Sequence, residues 1–213
     1  MLKPETLRLY AVTDRRWTGA QTLEEQIESA LRGGVTLVQL REKHLDDAAY
    51  LEEARWAAAL CHRYGVPLIV DDNVEVALAS GADGVHVGQN DMAAGDVRER
   101  LGADKILGVT AKTVEQALAA QAAGADYLGV GAVFATSTKT DTWQIDHAEF
   151  RRICDAVNIP VTAIGGITRE NLPTLAGLGM DGFAVVSAVF AAEDIEAECR
   201  ALRALAEQTV TQA

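Results

Sequence analysis

The sequence predicts one α/β domain, a closed (β/α)8 barrel of the TIM type, and three observations carry the prediction. Eight short apolar segments alternate with helix-patterned ones, and no antiparallel hairpin turn joins any two of them. Gly34-Val-Thr, Gly81-Ala-Asp, Gly124-Ala-Asp and Gly179-Met-Asp each stand just before an apolar segment, so the unit reads βαβα and repeats four times. The chain has 213 residues, 49% of them hydrophobic, which suits one large core and is short for two. A single domain is therefore expected over residues 1–213. An open doubly wound sheet shares the alternation, because periodicity does not by itself show closure.

The elements follow in order. Leu7–Val12 reads as the first strand. Thr22-Leu-Glu-Glu25 is a capping box, after which Leu23, Ile27 and Leu31 repeat at helical spacing until Gly33-Gly34. Leu37–Leu40 is the second strand and runs into Arg41-Glu42-Lys43; a long helix is expected over about Asp47–Tyr64. Strand three is Pro67–Val70, followed by a short helix over Asn73–Ser80. Strand four is Gly84–Val87, with a helix near Asp96–Leu101 after it. Strand five is Ile106–Val109, and Thr113-Val-Glu-Gln116 caps the next helix. Strand six is Tyr127–Val133; a polar loop, Ala135–Asp146, then leads into a cap at Asp146-His-Ala-Glu149. Val161–Ile164 and Phe183–Val186 are strands seven and eight, and a helix over Asp194–Glu207 ends the chain. The four repeated glycines fall where a helix exit turns left-handed.

Composition narrows the function. A formal charge of −12 argues against nucleic acid or an anionic membrane as the main partner. Any anionic ligand needs a local cluster of positive groups or a metal. Cys61, Cys154 and Cys199 form no CxxC and fall among apolar neighbours, as buried small side chains in a reducing compartment would. The first residues lack a signal-peptide core and no run approaches a membrane span, so a cytoplasmic location is expected. Oligomeric state is left open, a homo-oligomer included.

In such barrels the strand exits carry the chemistry. They hold Gln39, Arg41 and Lys43 after strand two, Asp71 and Asp72 after three, Gln89 and Asp91 after four, and Thr110 after five. Thr136, Ser137, Thr138 and Lys139 follow strand six, Gly165 and Gly166 strand seven, and Ser187 strand eight. If strand two continues, Gln39, Arg41 and Lys43 all point to one face. Arg41, Lys43 and Lys139 are the cations that could hold phosphate oxygens. If strands three and four are parallel neighbours, Asp72 and Asp91 converge, and two carboxylates with substrate oxygens suit Mg²⁺. The plain alternative is that each acid caps the helix that follows it. Gly165-Gly166 and Val186-Ser187 fit a phosphate cradle, though glycines there also suit a tight turn. The loop with Trp143 could close over bound phosphate, or be an ordinary exposed loop. His86, inside an apolar strand, is expected to be a packed, hydrogen-bonded histidine rather than a catalytic one.

In sequence order, QLREK at 39–43, DD at 71–72, DGVHVGQND at 83–91, GVT at 108–110, TSTK at 136–139, AIGGI at 163–167 and VVS at 185–187 together resemble the thiamine phosphate synthase family. The likeness spans nearly the whole chain. It implies transfer of a pyrimidinylmethyl group from its diphosphate to the nitrogen of a thiazole phosphate, with Mg²⁺ as cofactor and small phosphorylated molecules as substrates. By motif, the stretch from Gln39 through Leu40, Arg41 and Glu42 to Lys43, with Asp71, Thr110 and Lys139, would face the pyrimidine diphosphate. Asp72 and Asp91 would hold the metal. Thr136, Ser137, Thr138, Gly166, Val186 and Ser187 would face the thiazole phosphate. The family commonly has Asn at Asp71 and Ser at Thr110; Asp71 adds a charge that could ligate metal or pair with Lys43 or Arg41. A thiazole tautomerase, a non-catalytic thiazole-phosphate or thiamine-phosphate binder, and an unrelated sugar-phosphate isomerase or aldolase are the competing readings.

Overall fold

Eight parallel strands hydrogen-bond in chain order, and the eighth closes on the first. They are β1 (Leu9–Val12), β2 (Leu37–Leu40), β3 (Leu68–Asp71), β4 (Gly84–Val87), β5 (Ile106–Ala111), β6 (Tyr127–Gly131), β7 (Val161–Ile164) and β8 (Gly182–Val185). Closure rules out the open sheet. The computed structural model describes residues 2–136 and 144–211.

Helices wrap the outside: α1 (Leu23–Arg32), α2 (Asp47–Arg63), α3 (Val74–Ser80), α4 (Ala94–Leu101), α5 (Val114–Ala122), α6 (His147–Ala156), α7 (Ser187–Phe190) and α8 (Ile195–Thr211). The predicted caps form. Thr22 and Glu25 make a reciprocal capping box on α1, and Asp146 Oδ1 accepts from Glu149 N at 2.7 Å on α6. No α-helix links β7 to β8. A 3-10 turn, Leu172–Leu175, takes its place, where Pro173 and the closely following Gly177 and Gly179 prevent a longer helix.

The repeated glycines do what the repeat implied. Gly34, Gly81, Gly124 and Gly179 all have φ between 86° and 92°. The residue two positions after each adds a function the sequence did not reveal. Its side chain accepts a backbone N–H at the start of the strand before it. Thr36 Oγ1 accepts from Leu9 N at 2.9 Å, Asp83 from Leu68 N at 2.8 Å, Asp126 from Leu107 N at 2.8 Å, and Asp181 from Val161 N at 2.9 Å. Four clamps thus pin β1, β3, β5 and β7 at the face opposite the strand exits. Asp126 also accepts from Arg98 Nη2 at 2.6 Å. Asp126→Ala leaves the Leu107 N–H unpaired and is expected to cost about 1–3 kcal/mol by denaturant unfolding. Asp126→Asn, which keeps an acceptor, should cost less.

Two cores result. The larger lies between sheet and helices, and the smaller fills the barrel with Leu7, Tyr10, Val12, Leu37, Ile69, Tyr127 and Ala184. All three cysteines are free; Cys61 and Cys199 are buried and Cys154 half-buried, and burial pushes each thiol up to about 12.

Candidate active site at the strand exits

A cavity of about 390 Å³ opens at the C-terminal ends of the strands. Its walls include Gln39, Arg41, Lys43, Asp71, Asp72, Asp91, Thr110, Thr136, Gly166, Val186 and Ser187, so most of the expected site residues share one space. Ser137, Thr138, Lys139 and Trp143 lie outside the described residues.

The acids from neighbouring strands do converge. Asp72 follows β3 with φ 60°, a left-handed conformation rare outside glycine and tolerated by Asp. Asp91 folds back so that its Oδ2 accepts from Gly88 N at 2.8 Å. The Asp72 and Asp91 carboxylates line the same cavity, and the charge of one bears on the other. Burial, and then the Asp72 carboxylate, push Asp91 above the usual range, while the Gly88 N–H and Lys43 pull the other way. Neither acid caps a helix. Asn73 caps α3 by accepting from Val76 N at 2.9 Å, and α4 begins after Ala93 with no side-chain cap.

Lys43 joins the acids: its Nζ lies 2.7 Å from Asp71 Oδ2 and also bonds Asp72. Burial opposes its charge, but Asp71 and Asp72 outweigh that and hold the ammonium above its ordinary range. Asp71 is 8% exposed and also lies 3.7 Å from Arg41 Nε, so it pairs with both cations after β2. Among the described residues, Asp71, Asp72 and Asp91 share the cavity with Arg41, Lys43 and Lys112.

Two members of the 39–43 stretch stand apart from the cavity. Leu40 is fully buried against the helical layer and gives only its carbonyl oxygen, to Tyr50 Oη at 2.8 Å. Glu42 turns away from the cavity, its side chain 4% exposed, and lies 2.9 Å from Arg15 Nε beside the buried Glu53. Burial, the Glu42 charge next, pushes the Glu53 carboxyl up to about 7 against the pull of Arg15. Neither Leu40 nor Glu42 lines the cavity. The strand also stops at Leu40, so Gln39, Arg41 and Lys43 reach one space without a continued pleat. Thr13 holds the turn instead, accepting from Arg41 N at 2.9 Å.

Both glycines after β7 are needed by the turn itself. Gly165 and Gly166 have φ 102° and 66°, and a Cβ on Gly166 would stand 2.3 Å from Ala135 O. Asn171 ties the turn together, donating to Gly166 O at 2.8 Å and accepting from Thr168 N at 2.8 Å. Asn90, Lys112 and Gln116 also line the cavity and were not picked out from the sequence. Gln116 caps the β5 exit by accepting from Lys112 N at 2.8 Å. Lys112 and Gln116 begin the loop and helix after β5, where nothing local shows that a side chain bends back over the mouth. His86 is hydrogen-bonded at both ring nitrogens, at 3.0 Å to Tyr127 Oη and 2.9 Å to Thr110 Oγ1.

A family model described as thiamine monophosphate synthase matches residues 9–189. The thiamine-phosphate synthase of Ruminiclostridium cellulolyticum is 48% identical over 194 residues, 91% of this chain and 92% of that protein. That of Clostridium botulinum is 46% identical over 195 residues, with 92% of each covered. The solved thiamine phosphate pyrophosphorylase of Pyrococcus furiosus superposes with a TM-score of 0.89 at 38% identity, covering 97% of this chain and 98% of that one. A family match across most of the barrel, with near-full-length relatives, establishes that this chain belongs to the thiamine monophosphate synthase family.

Proposed function

We propose that the cavity joins 4-amino-2-methyl-5-hydroxymethylpyrimidine diphosphate to 4-methyl-5-(2-phosphoethyl)thiazole, or its carboxylated form, giving thiamine phosphate and diphosphate. The chain is a transferase of a pyrimidinylmethyl group, like its relatives. One observation carries the site reading: Asp72 and Asp91, from neighbouring exits, meet in a cavity where Lys43 and Arg41 supply the opposite charge.

The chain's residues have separable tasks. Arg41, Lys43 and Lys139 hold the diphosphate and gain strength as its charge grows on leaving. The C–O bond to diphosphate breaks, and the electron-rich aminopyrimidine stabilises the carbocation. The thiazole nitrogen then donates its lone pair to that carbon. Positioning is all this nitrogen requires, so no general base is needed. Gln39, Asp71 and Thr110 face the pyrimidine diphosphate, and Thr136, Ser137, Thr138, Gly166, Val186 and Ser187 the thiazole phosphate. Two hard carboxylate donors with room for phosphate oxygens fit Mg²⁺ held by Asp72 and Asp91. When bound, the metal would neutralise charge on the leaving diphosphate.

The partners in this reading are small phosphorylated molecules. The −12 charge supports excluding nucleic acid and anionic membrane. A cytoplasmic location is part of the proposal, supported by three free cysteines and by the lack of a helix, among the described residues, long and apolar enough to cross a membrane. Purified protein given both phosphorylated substrates and Mg²⁺ should release diphosphate, and omitting Mg²⁺ should stop it. Binding of both substrates without diphosphate release would favour a sensor and end the catalytic reading.

A further inference from the structure

Five polar side chains form one hydrogen-bonded chain through the barrel interior. Gln39 Nε2 donates to Tyr10 Oη at 2.8 Å, and the Tyr10 and Tyr127 hydroxyls meet at 2.8 Å. Tyr127 Oη lies 3.0 Å from His86 Nδ1, and His86 Nε2 lies 2.9 Å from Thr110 Oγ1. Gln39, His86 and Thr110 line the cavity, and the two tyrosines are buried beneath it. Missing side chains make room for the junction. A Cβ on Gly108 would stand 2.3 Å from Tyr127 Oη and 2.5 Å from His86 Nδ1, and one on Gly129 3.0 Å from His86 Cε1. Burial raises both tyrosines well above the ordinary phenol range, so each keeps its proton.

A hydroxyl has one proton to donate, and a singly protonated imidazole has one donor and one acceptor nitrogen. The chain therefore has two self-consistent proton arrangements. In the first, Gln39 donates from nitrogen, Tyr10 donates to Tyr127 and Tyr127 to His86 Nδ1. The imidazole proton is then on Nε2 and faces Thr110, whose own hydroxyl proton is left for the cavity. In the second, Gln39 offers its oxygen to Tyr10 and every bond reverses. His86 is protonated on Nδ1, and Thr110 donates its proton to Nε2. A mixed arrangement sets a buried donor against a donor, or an acceptor against an acceptor.

We propose that Tyr10, Tyr127 and His86 are positioning residues that couple the amide face Gln39 shows the substrate ring to the hydrogen-bond sense of Thr110. The proposal rests on the reading above that Gln39 and Thr110 face the pyrimidine diphosphate. An aminopyrimidine presents an exocyclic N–H. Gln39 Oε1 can answer it only in the first arrangement, the one that leaves the Thr110 proton for an anionic oxygen. A 4-oxo ring in the same pose requires the Gln39 N–H instead. That selects the second arrangement and turns Thr110 lone pairs toward the anion. The wrong ring is thereby penalised twice, once at each end of the relay.

Proton positions can be read by ¹⁵N NMR of histidine-labelled protein, with no turnover required. In the wild type, His86 should carry its proton on Nε2. Gln39→Glu, whose carboxylate only accepts, should place a proton on Nδ1. Adding Tyr127→Phe, or Tyr10→Phe, should abolish that response. An Nδ1 that stays unprotonated in Gln39→Glu overturns the proposal, as does a response that survives loss of a tyrosine. In assays, Tyr127→Phe should narrow the kcat/KM preference for the amino over the 4-oxo pyrimidine diphosphate by about tenfold or more. An unchanged preference also overturns it. A wild-type protein that releases no diphosphate refutes the proposed function, and the NMR result then decides the relay alone.

Discussion

Asp91→Ala is expected to lose about 10³-fold or more in turnover while the barrel stays folded, and added Mg²⁺ should not restore it. The residue has two jobs that the structure separates. Its Oδ2 holds the Gly88 N–H at 2.8 Å, which shapes the turn after β4. Its charge sits beside Asp72, which is the proposed metal task. Asp91→Asn keeps an acceptor for Gly88 and removes the charge. Both variants should therefore fail alike in a diphosphate-release assay, with Asn closer to wild type in denaturant unfolding. If Asp91→Asn turned over normally across a Mg²⁺ titration, the assignment of Asp91 to the metal would be lost.

Lys43→Met should show opposite effects in two measurements. Diphosphate release should fall by about 10²–10³-fold, because a cation that holds the departing charge is gone. Mg²⁺ binding to the ligand-free protein, followed by calorimetry, should tighten. Lys43 bonds Asp72 and stands 2.7 Å from Asp71, so it occupies the carboxylates a cation would use and neutralises them. Without it, Asp71, Asp72 and Asp91 repel one another and gain more from an added divalent ion. The side chain is then an exchanging counter-charge, on the acids when the site is empty and on the diphosphate when it is filled. Mg²⁺ affinity equal to or weaker than wild type would remove this role.

The near coincidence of expected and observed strands has a local cause. Short apolar runs, glycines at helix exits and Thr or Asp caps are each decided within a few residues. Thr22, Thr113 and Asp146 cap where their spacing to Glu25, Gln116 and Glu149 implied. The ends of strands were harder, because a side chain's direction there depends on where the pleat stops. Alternation put Gln39, Arg41 and Lys43 on one face, yet β2 ends at Leu40 and the Thr13 hydroxyl sets the turn that follows. Glu42 was placed with its neighbours by motif; its actual direction comes from Arg15, which lies on the exit of another strand.

By itself, the sequence determined an eightfold alternation of strand and helix, the glycine exits, and a ring of polar residues at the strand ends; all three are contained in short stretches of chain. Only tertiary structure decided that Asp72 turns left-handed toward Asp91, that Lys43 bridges Asp71 and Asp72, and that Asp83, Asp126 and Asp181 clamp the strands before them. It also decided that Tyr10 meets Tyr127, 117 residues away. The physical reason is closure. Joining β8 to β1 turns the inward face of every strand toward a common interior, where partners are chosen by the barrel's geometry and no local pattern records the choice.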